Sequence, residues 1–138
     1  MASGATIATL FPACGGGSPT SPSGMGSMLA VLSGRFAGSA VQVNVAGSPL
    51  ADAGGAALIQ SIAGVFLLSR TSATAFTAID ATCTHEGCTI TGVDGAAYVC
   101  PCHGSRYNRS GQVVNGPARS PLRQYATTMT DGVVTIAL

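Results

Sequence analysis

A chain of 138 residues has room for one domain with a substantial core, and not for two ordinary domains plus a linker. It is 46% hydrophobic and 8% charged with 19 glycines, a composition that excludes a disordered polyelectrolyte and a long-helix protein, both of which need more charge. Six arginines, no lysine and five acidic residues leave a net charge of +1, which excludes nucleic acid and anionic membrane surfaces as electrostatic partners.

The first fourteen residues are mildly apolar and end Leu10-Phe11-Pro12-Ala13-Cys14, after which glycine, serine and proline dominate. This resembles the end of a bacterial lipoprotein signal, where a small residue precedes a cysteine that is acylated after cleavage. Residues 1–14 therefore read as a signal remnant with a lipid anchor at Cys14; the other reading is a tail with a stray thiol. Residues 15–27 have the composition of a flexible linker, with a root-mean-square span of roughly 20 Å. The folded domain is expected over residues 28–138. The longest apolar run, Gly54 to Leu68, is too short to cross a bilayer and is interrupted by Gln60 and Ser61.

Beyond Met28 the chain is a series of short apolar runs punctuated by glycine, serine, aspartate and proline. Val41 to Val45 alternates apolar and polar, and Gly64 to Leu68 has the continuous apolar character of a buried strand. Ala75 to Ile79 leads into one cysteine-containing loop, and Ala96 to Cys100 delivers another. Strand signals follow at Gly111 to Val114 and Leu122 to Thr127, and Asp131-Gly132 marks a turn before a closing strand from Val133 to Leu138. The only helix-like stretch, Ser27 to Leu32, is short. An all-β sandwich or barrel-like fold is the expectation.

Four of the five cysteines and both histidines lie in two clusters, Cys83-Thr84-His85-Glu86-Gly87-Cys88 and Cys100-Pro101-Cys102-His103-Gly104-Ser105-Arg106-Tyr107. Thiolates and imidazoles gathered on two glycine- and proline-containing loops are suited to a metal site, because such loops can aim several donors at one place. Six potential ligands are present where a mononuclear site takes four. Zinc also accepts two cysteines and two histidines, though its structural sites usually pair cysteines two to four residues apart.

These motifs closely resemble those of Rieske iron–sulfur proteins, particularly the high-potential kind of cytochrome bc-type complexes, over roughly Val65 to the C-terminus. The resemblance implies an all-β Rieske fold, with a cluster-binding subdomain of about residues 81–121 inserted into an antiparallel β base domain. It implies a [2Fe–2S] cluster with Cys83 and Cys100 on one iron and His85 and His103 on the other, and a disulfide between Cys88 and Cys102. Ser105 and Tyr107 are implied to donate hydrogen bonds to cluster or ligand sulfur, and Gly116-Pro117-Ala118 matches the proline loop covering the cluster. Fourteen residues separate His85 from Cys100, so the loop between them should be tight.

An oxidised [2Fe–2S] core carries two positive charges, so two thiolates and two neutral imidazoles leave the site neutral, whereas four thiolates leave it at −2. Such a centre takes up an electron more easily, at ~−150 to +300 mV against ~−400 mV for plant-type ferredoxins. Donors aimed at sulfur raise the potential further. A disulfide beside the cluster argues against a reducing compartment, and with the lipoprotein-like start it favours the extracytoplasmic face of a bacterial membrane or the periplasm. Low-potential Rieske ferredoxins of the cytosol lack both the extra cysteines and the paired hydroxyls.

The expected function is one-electron transfer between redox proteins of cytochrome b or c type. The alternative is service as the iron–sulfur subunit of a quinol–cytochrome c oxidoreductase or arsenite-oxidase-like complex. Glu86 departs from the quinol-oxidising pattern, in which the residue after the first histidine is usually apolar and helps to form the docking surface for a quinol. Arg106, Arg109, Arg119 and Arg123 follow the second motif and offer a basic docking face near the site.

Overall fold

The computed structural model describes residues 27–138, so the anchor at Cys14 and the linker, apart from Ser27, lie outside the described residues. The strands in chain order are β1 (Ser27–Met28), β2 (Ala30–Ser33), β3 (Arg35–Ala37), β4 (Ala40–Asn44), β5 (Ala56–Ser61), β6 (Gly64–Arg70), β7 (Phe76–Asp80), β8 (Gly92–Asp94), β9 (Ala97–Val99), β10 (Arg106–Tyr107), β11 (Val113–Asn115), β12 (Gln124–Tyr125), β13 (Thr127–Thr130) and β14 (Val133–Ala137). A single 3-10 turn, Pro49–Ala51, is the one helical element among the described residues. They form three sheets, in the strand orders β1-β8-β9-β10-β11, β12-β7-β6-β5-β2 and β13-β14-β4-β3.

The second sheet is the middle layer, which explains its sequence. Successive side chains of a strand point to opposite faces. Leu58, Leu67 and Ile79 point toward the first sheet and pack with Tyr98 and Tyr107. Ala57, Ile59, Phe66, Leu68 and Ala78 point the other way and pack with Val41, Val43, Val134 and Ile136 of the third sheet. A strand covered on both faces reads as an unbroken apolar run. Strand β4 has one wet face, and its burial alternates as Val-Gln-Val-Asn does.

The polar break in the long apolar run ends strand β5 and leads into a hairpin turn at Ile62-Ala63. Strands β5 and β6 pair from Ala56↔Ser69 to Ser61↔Gly64. The Ser61 hydroxyl donates to the Gly64 carbonyl at 2.9 Å and accepts from the Ala63 amide at 3.2 Å. Ser27 to Leu32, helix-like in sequence, is extended instead. It contributes β1 to the first sheet and β2 to the second, where β2 runs parallel to β5 in the one parallel pairing among the named strands. Burying Leu29 between these two pairings overrides the weak local helix propensity.

Apart from β1, the first sheet is carried by the segment that leaves the middle sheet after Asp80 and returns at Gln124. Its return is fastened by backbone bonds from the Leu122 amide to the Gly111 carbonyl at 2.7 Å and from the Asp80 amide to the Arg123 carbonyl at 2.8 Å. Neighbouring leucines of β6 thus serve different layers. Leu67→Ala and Leu68→Ala should each cost about 2–5 kcal/mol in urea unfolding. In hydrogen exchange, Leu67→Ala should expose amides of β9 and β10 preferentially, and Leu68→Ala those of β4 and β14.

Candidate metal centre

The two cysteine-bearing loops share one backbone plan. In the first, the Cys83 amide donates to the Cys88 carbonyl at 2.7 Å and the Cys83 carbonyl accepts from the Gly87 amide at 2.9 Å. In the second, the Cys100 amide donates to the Ser105 carbonyl at 2.8 Å and its carbonyl accepts from the Gly104 amide at 3.0 Å. Gly87 and Gly104 both sit at φ +76°, in the left-handed region that a side chain would strain. Each turn sets a cysteine at its buried start and a histidine at its exposed crest.

Cys88 and Cys102 form a disulfide between the loops, with Cα atoms 6.5 Å apart. Closing a loop of this length removes about 3 kcal/mol of unfolded-chain entropy in the chain-entropy account. Cys83 and Cys100 remain free thiols, 3% and 2% exposed, within the core between the first and middle sheets. The rings of His85 and His103 meet edge to face with centroids 5.1 Å apart. The donors therefore divide into a buried sulfur pair and an exposed imidazole pair. That split suits two metal ions held in a row, one by sulfur and one by nitrogen, better than a single zinc ion drawing all four ligands to one point.

Tyr107 is fully buried, and its hydroxyl lies 3.3 Å from Cys83 Sγ and 3.0 Å from Thr84 Oγ1, and accepts from the Thr84 amide at 3.2 Å. Thr84 Oγ1 also donates to the Ser120 carbonyl at 2.7 Å. Since Thr84 Oγ1 spends its proton on Ser120, it meets Tyr107 as an acceptor, and the one phenol proton lies between Thr84 Oγ1 and the Cys83 sulfur. Burial alone would raise the Cys83 thiol, but the Tyr107 hydroxyl, the amides of His85 and Glu86 and the neighbouring Cys100 hold it below its ordinary value. Cys100 is pushed up by burial and by the negative charge that Cys83 takes first.

Ser105 is fully buried, and its Oγ accepts from the Ala118 amide at 3.0 Å, which fastens the Gly116-Pro117-Ala118 loop to the second cysteine loop. The Gly116–Pro117 bond is cis. Glu86, half-exposed, meets His103 Nε2 at 2.6 Å, and together with His85 these groups offer donor atoms within 4.8 Å of one another. A cleft of about 380 Å3 beside His85 is lined by Thr84, Pro117, Arg119 and Ser120.

The four arginines do not gather into the expected basic face. Arg106 pairs with Asp94 at 2.7 Å, Arg109 lies over the Tyr98 ring and Arg123 over the Tyr125 ring, which leaves Arg119 beside His85. Thr84 was absent from the expected site. Its position between two ligand-type residues, inside Cys83-Thr84-His85, was the available signal.

Residues 33–126 match the family described as the Rieske [2Fe-2S] domain. The cytochrome b6-f complex iron-sulfur subunit of Chlorobaculum thiosulfatiphilum is 48% identical over 52 residues, 37% of this chain and 29% of that protein. The subunit of the same name from Gloeobacter violaceus is 47% identical over 60 residues, 43% of this chain and 32% of that protein. The chain thus spans about a third of the length of these relatives. Among solved structures, the cyanobacterial plasma membrane Rieske protein PetC3 from Synechocystis superposes with a TM-score of 0.54 at 27% identity, over 60% of this chain and 86% of that one. With more than half of its length matched by the family and a donor set suited to two irons, the chain belongs to the Rieske [2Fe–2S] domain family.

Proposed function

We propose that Cys83 and Cys100 bind one iron and His85 and His103 the other, and that the chain works as a high-potential carrier on the extracytoplasmic side of a bacterial membrane. The observation that carries the reading is the Tyr107 hydroxyl, 3.3 Å from the sulfur of a buried cysteine whose loop is joined to its neighbour by a disulfide. When bound, the cluster supplies a one-electron couple. The chain's own residues then do three things. The buried side keeps water from the sulfur pair, Tyr107 stabilises added charge on sulfur, and the exposed imidazoles offer the path by which an electron reaches a partner. Ser105, Gly116 and Pro117 hold the covering loop.

The disulfide supports an oxidising compartment, and a lipid anchor at Cys14 would tether the head there. The exposed crest carries Glu86 and Arg119 beside the histidines. A polar, mixed-charge tip favours transient docking of a cytochrome of b or c type over an apolar quinol slot. The second reading is a subunit of a quinol-oxidising or arsenite-oxidase-like complex; the relatives, whose names are those of cytochrome b6-f complex subunits, favour the former of these. Electron transfer from the reduced protein to a soluble c-type cytochrome discriminates. A carrier should react as a free chain at a rate that changes with ionic strength, and a subunit should react only within its isolated complex.

The ligand assignment requires two irons and two acid-labile sulfides per chain, with a rhombic Rieske-type EPR signal on reduction. His85→Ala and His103→Ala should each abolish that signal; one zinc and no iron in protein made under iron-replete conditions would overturn the assignment.

The potential reads the hydrogen bonds individually. A bond to a charged acceptor is worth about 1.5–3 kcal/mol, and at 59 mV per tenfold for one electron that corresponds to roughly 60–130 mV. Tyr107→Phe should lower the midpoint by that order in protein-film voltammetry, with the cluster still assembled; Ser105→Ala, expected from the resemblance to do the same, removes an oxygen that accepts from the Ala118 amide and should also loosen the loop. Glu86→Gln should raise it by less, because the carboxylate is half-exposed and screened.

A further inference from the structure

Four of the six arginines are held by the chain itself. Arg70 donates to the carbonyls of Leu50, Ala51, Ser72 and Ala73, Arg106 pairs with Asp94, Arg109 lies over the Tyr98 ring and Arg123 over the Tyr125 ring. Among the described residues, Arg35 and Arg119 have no such partner. Arg35 stands on β3 in the third sheet, with the middle sheet between it and the metal centre. Arg119 stands in the cleft beside His85.

Arg119 is exposed, but the backbone on either side of it is fastened. The Ala118 amide donates to Ser105 Oγ at 3.0 Å, and the Ser120 carbonyl accepts from Thr84 Oγ1 at 2.7 Å. Both neighbours of Arg119 are thus tied to the cysteine-bearing loops, which plants the root of its side chain at the cleft wall. The lining residues, Thr84, His85, Pro117, Arg119 and Ser120, are all exposed and supply one guanidinium and no carboxylate.

The two imidazoles therefore stand in different fields. Glu86 meets His103 Nε2 at 2.6 Å, so an anion approaching that ring encounters a carboxylate. An anion approaching His85 encounters a guanidinium, whose fork of N–H donors matches a carboxylate and is not spent within the described chain.

We propose that the His85 side of the tip is the docking port, and that Arg119 selects there a redox protein whose contact surface carries carboxylates. The port presupposes the ligand assignment and the carrier role proposed above. One electron passes from the reduced centre to the oxidised centre of the partner, and no bond is made or broken. Arg119 touches the partner's carboxylates and acts by favouring encounters at His85 over those at His103.

The test uses the reduced, iron-loaded full chain in stopped flow, with three oxidants: hexacyanoferrate(III), an anion; tris(phenanthroline)cobalt(III), a cation; and a c-type cytochrome of acidic isoelectric point. Midpoint potentials are measured alongside by voltammetry, and binding of redox-inert hexacyanocobaltate(III) by calorimetry. At low ionic strength Arg119→Gln should slow hexacyanoferrate(III) and the acidic cytochrome about threefold to tenfold, weaken hexacyanocobaltate(III) by a similar factor and speed the cobalt oxidant. The differences should close as salt is raised. Driving force acts in the opposite sense: removing a positive charge lowers the midpoint and makes the reduced protein a stronger donor, so slower oxidation by an anion reports docking. Arg35→Gln, the same change of charge on the far sheet, should leave all three rates near wild type. Arg119→Gln combined with Glu86→Gln keeps the net charge of the tip and should stay slow with both anionic oxidants.

An unchanged rate with the acidic cytochrome in Arg119→Gln would overturn the port, as would an equal loss in Arg35→Gln or recovery of the wild-type rate in the double variant. A wild type that binds no iron, or that reduces none of the three oxidants, would instead remove the carrier reading and the port with it.

Discussion

The first cysteine of each loop spends both its amide and its carbonyl within the next five residues, and this closed turn governs what the surface around it can do. A loop without those bonds would leave its histidine free to swing on the time scale of loop motion, and a two-metal site needs donors held to within a fraction of an ångström. The turn closes only if the residue four positions on can adopt positive φ, which is why glycine stands at both 87 and 104. Two such turns, each rigid in itself, then need only their mutual position fixed. The disulfide does this from one side and the Thr84–Tyr107 hydroxyl pair from the other.

Burial divides the labour within the site. The sulfur pair is part of the same packed layer as Leu67, Ile79 and Ile90, so a change of charge there is felt through a medium of low polarity and responds strongly to a single hydroxyl. The imidazole pair stands in water, where a partner protein can reach it and where charges such as those of Glu86 and Arg119 are damped by salt. On the proposed assignment, one end would set an energy level and the other would make contact. The Gly116-Pro117-Ala118 loop is held by the Ala118 amide on Ser105, and its Pro117 lines the cleft beside His85.

Much of this arrangement was legible in the chain because it is encoded locally. Ligand-type side chains cluster within six and eight residues, and no folding is needed to see that Cys83, His85, Cys100 and His103 lie near turn-forming glycines. The alternation of Val41 to Val45 and the unbroken apolar character of Gly64 to Leu68 likewise report one wet face and two dry ones. Relations that arise only when distant segments meet were not legible. The arginines near the second motif are neighbours in sequence, but Asp94, Tyr98 and Tyr125 draw them to separate places. Thr84 gains its role from Tyr107 and Ser120, 23 and 36 residues away. The hairpin within Gly54 to Leu68 was masked because its turn, Ile62-Ala63, is apolar, and the polar Gln60 and Ser61 that end β5 look like flaws in one long element.

The short segment at the start of the described fold crosses from one sheet to another within seven residues, and this has a mechanical consequence. Strand β1 adds only Ser27 and Met28 to the edge of the metal-bearing sheet, opposite Val93 and Gly92, whereas β2 lies along four residues of β5 in parallel. Force that reaches Ser27 therefore meets the β1 pairing before the β2 pairing, and the described part of β1 opens with few bonds resisting. It next meets the parallel pairing, whose bonds stretch together. The head would yield by a small, reversible slip at the rim of the metal-bearing sheet and then hold firm, with the rest of the middle layer undisturbed behind it.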